Sequence, residues 1–183
     1  MCIQIRPAGP GEGERVLRFY DALICAMEGS EYSPRWQSGI YPEDDMLLSA
    51  VERGEMYLAL REERLVGAMV LNRSFHEGYA DVPWPSGAKP EQAMCIHLLC
   101  VWPECFRQGI GRRLVEAAAE TARRQGARVL RLDVLEGNLP AERLYRSCGF
   151  AFAAHRELFY EDTGRMGFDL YEFPVSGERD GKQ

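Results

Sequence analysis

Residues 97–126, "HLLCVWPECFRQGIGRRLVEAAAETARRQG", constrain the fold more than any other stretch. An apolar run stops at Pro103, and a turn carrying Gly109 and Gly111 follows. A helical pattern then places Ile110, Leu114, Ala117, Ala118 and Thr121 on one face and charges on the other, with Gly126 to close it. Directly afterwards "RVLRLDVL" reads as a buried strand. A tight turn joins antiparallel neighbours, whereas a helical crossover of this length joins parallel ones. The centre of the chain is therefore α/β.

The flanking segments are antiparallel in character. "CIQIRP" reads as a short strand, and "EGERVLRFYDALICAM" as a helix with Val16, Leu17, Tyr20, Leu23, Ile24 and Met27 on its apolar side. "YPEDDMLLSAVERG" predicts a second helix, with Pro42 near its start, acids in its first turn and Gly54 at its end. "MYLAL" and "LVGAMVLN", separated by "REER", predict a hairpin. A Gly/Pro-rich loop from Phe75 to Gln92 is long enough to suggest function, and it holds Phe75, Tyr79 and Trp84. "NLPAERLYRSCG" predicts a shorter helix capped by Asn138, with Pro140 in its first turn and Gly149 at its end. "FAFAAHRELFY" and "RMGFDLYEF" read as closing strands around the turn "EDTG". The order is β-α-α-β-β-β-α-β-α-β-β. Residues 1–174 are expected to form a single domain, with 175–183 a polar tail.

Composition removes several function classes. A net charge of −6 argues against a nucleic-acid surface. The N-terminus lacks an apolar stretch after a basic start, so no secretory signal is expected, and no run approaches the roughly 20 apolar residues of a membrane span. Six scattered cysteines without a C-x-x-C pair, and three isolated histidines, point away from disulfides and from any metal, and toward a reducing, cytoplasmic setting.

The glycine turn asks for a reason. A helix N-terminus exposes unpaired N–H groups and partial positive charge, and glycines let a phosphate come close to the backbone. Arg107, Arg112 and Arg113 add charge around it. An ordinary tight connection looks the same, so the turn alone leaves both readings open. The dinucleotide fingerprint fails because Leu114 stands where its third glycine belongs, and the P-loop fails because "GRR" replaces G-K-[ST].

With "RLDVLEGNLPAERLYRSCGF" following at a fixed distance, the stretch resembles the acyl-CoA-binding core of the GNAT superfamily of N-acetyltransferases. The likeness rests on Val101, Pro103-Glu104, the GxG of Gly109 and Gly111, and N-x-x-A-x-x-L-Y-x-x-x-G-F from Asn138 to Phe150. It implies a mixed, mostly antiparallel sheet of about seven strands flanked by four helices and splayed between strands 4 and 5. It also implies acetyl-CoA as co-substrate, with no metal. The pyrophosphate would lie on the amides of Arg107, Gln108, Gly109, Ile110, Gly111 and Arg112. The pantetheine arm would pair with the backbone of Leu99, Cys100 and Val101, and Asn138 would touch that arm or cap its helix. One departure is Phe106, where the family usually has Gln or Arg, so that Arg107 or Gln108 would supply a displaced contact.

Tyr145 takes the position of the family's general-acid tyrosine, though its apolar stripe with Ala141, Leu144 and Cys148 equally suits a core residue. His97 is the candidate base, because imidazole titrates near neutrality, and Asp133 and Glu172 acting through water compete for the role. An acyl-cysteine at Cys95 or Cys100 is the disfavoured alternative. The acceptor would be a small-molecule or peptide amine, met by Tyr32, Trp36, Tyr41, Tyr79 and Trp84 and by Glu31, Glu43, Asp44 and Asp45. A backbone N–H near Val101 would polarise the acyl carbonyl. Two rivals remain: a non-catalytic acyl-CoA-binding module on the same fold, and a nucleotide-phosphate binder using the same turn. A homodimer through edge strands is possible.

Overall fold

In the computed structural model, residues 3–30, 32–160 and 164–175 are described. Seven strands form one sheet: β1 (Gln4–Pro7), β2 (Met56–Arg61), β3 (Arg64–Asn72), β4 (Ala93–Val101), β5 (Val129–Leu135), β6 (Ala151–Tyr160) and β7 (Gly164–Pro174). Their spatial order is β1-β2-β3-β4-β5-β7-β6. Only β4 and β5 are parallel, joined by the expected crossover helix. The helices are α1 (Gly13–Met27), α2 (Asp44–Glu52), α3 (Ile110–Arg124) and α4 (Leu139–Ser147).

The two faces of the sheet build separate cores. On β2, Tyr57 and Ala59 pack with α3 and α4, while Met56, Leu58 and Leu60 pack with α1 and α2. Strand alternation sends neighbours to opposite faces, and burial on both faces explains the unbroken apolar run. The buried side of α1 is Val16, Phe19, Tyr20, Leu23 and Met27; Leu17 and Ile24 sit only at its margin. Pro42 lies outside α2, which begins at Asp44. The Asn138 side chain accepts from the Ala141 N–H at 3.2 Å, as an N-cap should.

The long loop is strapped onto the sheet rather than free. Arg131 of β5 pairs with Glu172 of β7 at 2.9 Å, both side chains 3% exposed. Arg131 also donates to the Ala88 carbonyl and lies 4.2 Å from the Trp84 ring centre, while Glu172 accepts from the Ser86 N–H. Val175, expected in the tail, is fully buried and its N–H donates to the Arg128 carbonyl. Residues 176–183, and 161–163 of the "EDTG" turn, lie outside the described residues.

β4 and β5 part company early. Their pairing covers only Ala93–Cys95 against Val129–Arg131, although both strands run on. Opposite β3 the register of β4 shifts between His97 and Cys100. The extra residue makes a bulge, with Leu98 at φ 52°. Tyr20 of α1 pins it by donating to the buried Leu98 carbonyl at 2.9 Å.

Candidate functional site

The splay and the glycine turn meet at the N-terminus of α3. Gly109 is the N-cap, in the left-handed region at φ 79°, and no side chain caps the helix. Arg107 is left-handed too, at φ 60°. This conformation costs a non-glycine residue roughly 1–2 kcal/mol and turns successive N–H groups into a concave nest. Among the described residues, the N–H groups of Gln108 through Arg112 find no acceptor; the first helical bond goes from Arg113 to the Gly109 carbonyl. A Cβ added at Gly109 would meet nothing within 4 Å, so the turn faces open space. Unpaired amides on an open turn fit a phosphate or pyrophosphate.

The side chains around this nest behave differently from expectation. The Arg112 guanidinium turns to the Ser147 carbonyl and hydroxyl at 3.1 Å, anchoring α3 to α4, so only its amide faces the turn. Gly111 packs closely on α4: a Cβ there would lie 3.0 Å from a Leu144 methyl. Ile110 is buried and likewise offers only its backbone. Gln108 is held by Arg61 at 2.7 Å and by the Glu104 carbonyl, and Arg107 donates to the Tyr32 hydroxyl. Phe106 packs against Tyr32 with ring centres 4.7 Å apart and planes tilted by 38°, which gives an aromatic residue there a partner.

Between the diverging strands opens a cleft of about 360 Å³. His97, Leu98 and Leu99 line it from β4, Asp133 to Leu135 from β5, and Asn138, Ala141 and Tyr145 from the cap and one face of α4. Cys100 is buried, and burial pushes its thiol up to about 12. The Cys95 thiol is also driven well above its ordinary value by burial, so neither offers a thiolate.

Tyr145 is 7% exposed and packs edge-on to Phe150, yet its hydroxyl has no hydrogen-bond partner among the described residues. Burial, reinforced by the Asp133 charge, raises its pKa, so the phenol stays protonated. His97 Nε2 lies 3.1 Å from both the Asn72 amide oxygen and the Ser74 carbonyl. Two acceptors on one nitrogen assign the proton to Nε2, so Nδ1 is the ring's acceptor, and it lies 4.0 Å from the buried Cys95 Sγ. Desolvation lowers the His97 pKa, so the ring is neutral at pH 7. Asp133 Oδ2 accepts from Tyr79 at 2.7 Å and Tyr160 at 3.2 Å.

Other expectations need correction. Glu172 is not a solvated acid, being locked to Arg131. Tyr79 and Trp84 stand behind the cleft, the first under Asp133 and the second on Arg131. Tyr32 packs on Phe106 outside it, and Glu43, Asp44 and Asp45 do not line it; Glu31 lies outside the described residues. Trp36 and Tyr41 do line it. Sequence reasoning missed His76, Tyr160, Met166 and Phe168, which arrive from β6, β7 and the residues after β3. No local signal marks them, because they meet only in the folded chain. No group of three metal-ligating side chains occurs among the described residues, and no described helix is long and apolar enough to cross a membrane.

Comparison with known proteins places these features in a wider set. Residues 20–150 match the Acetyltransferase (GNAT) family. Streptothricin acetyltransferase of Streptomyces lavendulae is 40% identical over 76 residues, which are 42% of this chain and 40% of that protein. The ribosomal protein bS18-alanine N-acetyltransferase of Escherichia coli is 35% identical over 79 residues, 43% of this chain and 53% of that one. The chain thus spans about half the length, or less, of these curated relatives. Among solved structures, Arabidopsis thaliana NAA60 in complex with acetyl-CoA has a TM-score of 0.71 at 19% identity, covering 96% of this chain and all of that one. The yncA protein of Salmonella typhimurium with its cofactor acetyl-CoA gives 0.68 at 16% identity, over 97% of this chain and 96% of that one. At such identities the likeness is one of fold.

Proposed function

The chain belongs to the GNAT family of acetyltransferases, and on that premise we propose that it is an acetyl-CoA-dependent N-acetyltransferase acting on a primary amine by direct attack in a ternary complex. The observation that carries this reading is the run of unpaired amides from Gln108 to Arg112 beside a cleft that Tyr145 and His97 both line. Acetyl-CoA, when bound, supplies a thioester carbon for attack and a thiolate to leave.

The chain's own residues supply the rest. The amides of 107–112 would hold the pyrophosphate, and Leu99, Cys100 and Val101 would take the pantetheine arm on a β4 edge that β5 leaves open. Asn138, already capping α4, keeps that helix and Tyr145 in register. The Tyr145 phenol holds a proton for the departing sulfur, and His97 receives one from the amine. The bulge at Leu98 interrupts the β3–β4 ladder next to Leu99, Cys100 and Val101, the stretch expected to supply an N–H to the acyl oxygen.

The acceptor class is a small-molecule or peptide amine; the curated relatives act, by name, on streptothricin and on the alanine of a ribosomal protein. Neither a nucleic acid nor a membrane is a partner in this reading, and the free cysteines suit a cytoplasmic location. A homodimer would form on β6, an edge strand with Phe152 and Phe159 exposed. The test is thiol release from acetyl-CoA across a library of amines. Amine-dependent release supports transfer; binding of acetyl-CoA with no release for any amine favours a non-catalytic module instead.

A further inference from the structure

The cleft's outer wall is built of rings. Trp36, Tyr41, Tyr160 and Phe168 run as a chain with centres 6.4, 6.4 and 5.4 Å apart, and His76 lies 4.8 Å from Tyr160. His76 Nε2 is 2.9 Å from the Phe159 carbonyl, which ties the residues after β3 to β6 and closes the wall. Into this apolar enclosure comes one carboxylate. Asp133 is the sole acid lining the cleft among the described residues, and the sole permanently cationic side chain there is the exposed Arg35.

Asp133 is half satisfied in an instructive way. Both tyrosine hydroxyls bond its Oδ2, while Oδ1 accepts nothing and no cation lies within ion-pair distance among the described residues. A carboxylate held rigidly by two phenols, with one oxygen unused and rings around it, is built to receive a single cation.

We infer that the acceptor is a monocationic primary amine with an apolar, ring-sized body, and that Asp133 and the ring wall select it. This rests on the transferase reading above. The ammonium meets Asp133 Oδ1, and the body packs on Tyr160, Phe168 and Trp36. A polyamine would drive further charges toward the exposed Arg35, whose like charge opposes them. A peptide brings an N–H and a carbonyl per residue, for which the ring wall has few partners.

Direct binding tests the inference without requiring turnover. The CoA-saturated protein is titrated with 2-phenylethylamine, 2-phenylethanol, spermidine and an alanine-initiated tripeptide, following tryptophan fluorescence and heat. The expected ranking places 2-phenylethylamine at least roughly tenfold tighter than the other three, the equivalent of one charge-assisted hydrogen bond. Asp133→Asn, which keeps an acceptor for both tyrosines, should weaken 2-phenylethylamine by about tenfold and leave 2-phenylethanol unchanged. Equal or tighter binding of spermidine or the tripeptide overturns the inference, as does parallel weakening of the amine and the alcohol. The wild-type ranking decides even if Asp133→Asn does not fold. Failure of the transferase reading looks different: the ranking holds, but with acetyl-CoA in place of CoA, 2-phenylethylamine releases no thiol.

Discussion

A single hydroxyl carries much of the chemistry proposed for Tyr145. Because that group has no internal partner among the described residues, Tyr145→Phe should leave folding and acetyl-CoA binding unchanged. The same change should lower kcat by about 10²–10⁴, the usual worth of general-acid catalysis. Thiol-release kinetics beside acetyl-CoA calorimetry separate the two effects; an unchanged kcat returns Tyr145 to the core. At His97 the working quantity is the direction of the shift. Desolvation moves the folded pKa below the ordinary 6.5, so kcat/KM, corrected to the neutral amine, should bend downward only below pH 6.5. His97→Gln should remove the bend, and a bend above 6.5 contradicts the assignment. The same shift has a stability sign: the unfolded ring gains its proton at 6.5 and the folded ring at a lower pH. Its contribution is therefore complete above 6.5 and lost as pH falls through the folded value.

At the scale of elements, the two glycines that look alike in the sequence do different work. Gly109 is left-handed and faces open space, so Gly109→Ala should cost only about 1 kcal/mol of backbone strain. Gly111 is in ordinary helical conformation, and its hydrogen lets α3 touch α4. Gly111→Ala must displace the Leu144 methyl by a few tenths of an ångström. That overpacking cost opposes the roughly 0.5–1 kcal/mol Ala gains over Gly in a helix, so urea unfolding should show a net change within about 1 kcal/mol. The strand–turn–helix and the capped α4 were legible beforehand because their signals are local: apolar period, glycine and an Asn cap. The division of labour between the glycines was not, because it depends on where α4 comes to rest. Nor was the bulge at Leu98, which no glycine announces, or the ring wall, whose members are separated by up to 132 residues between Trp36 and Phe168. Tyr79 and Trp84 were misread for the same reason. A loop rich in aromatics gives no hint that a buried Arg131 waits beneath it.

Across the whole molecule, that buried pair joins the loop, β5 and β7 behind the cleft. Removing one partner leaves the other charge buried and uncompensated, so Arg131→Met should destabilise by about 3–5 kcal/mol in urea melts. Replacing both partners by apolar residues should recover much of that loss. The fold thereby holds two halves in register, a sheet edge with a nest of amides on one side and a carboxylate among rings on the other. Calorimetric titration of the wild-type chain and of Gly109→Glu with acetyl-CoA tests this account most directly. The account predicts one acetyl-CoA bound per wild-type chain and none by Gly109→Glu, whose carboxylate would sit where the pyrophosphate belongs. Absence of binding by the wild type, or equal binding by both, would contradict it.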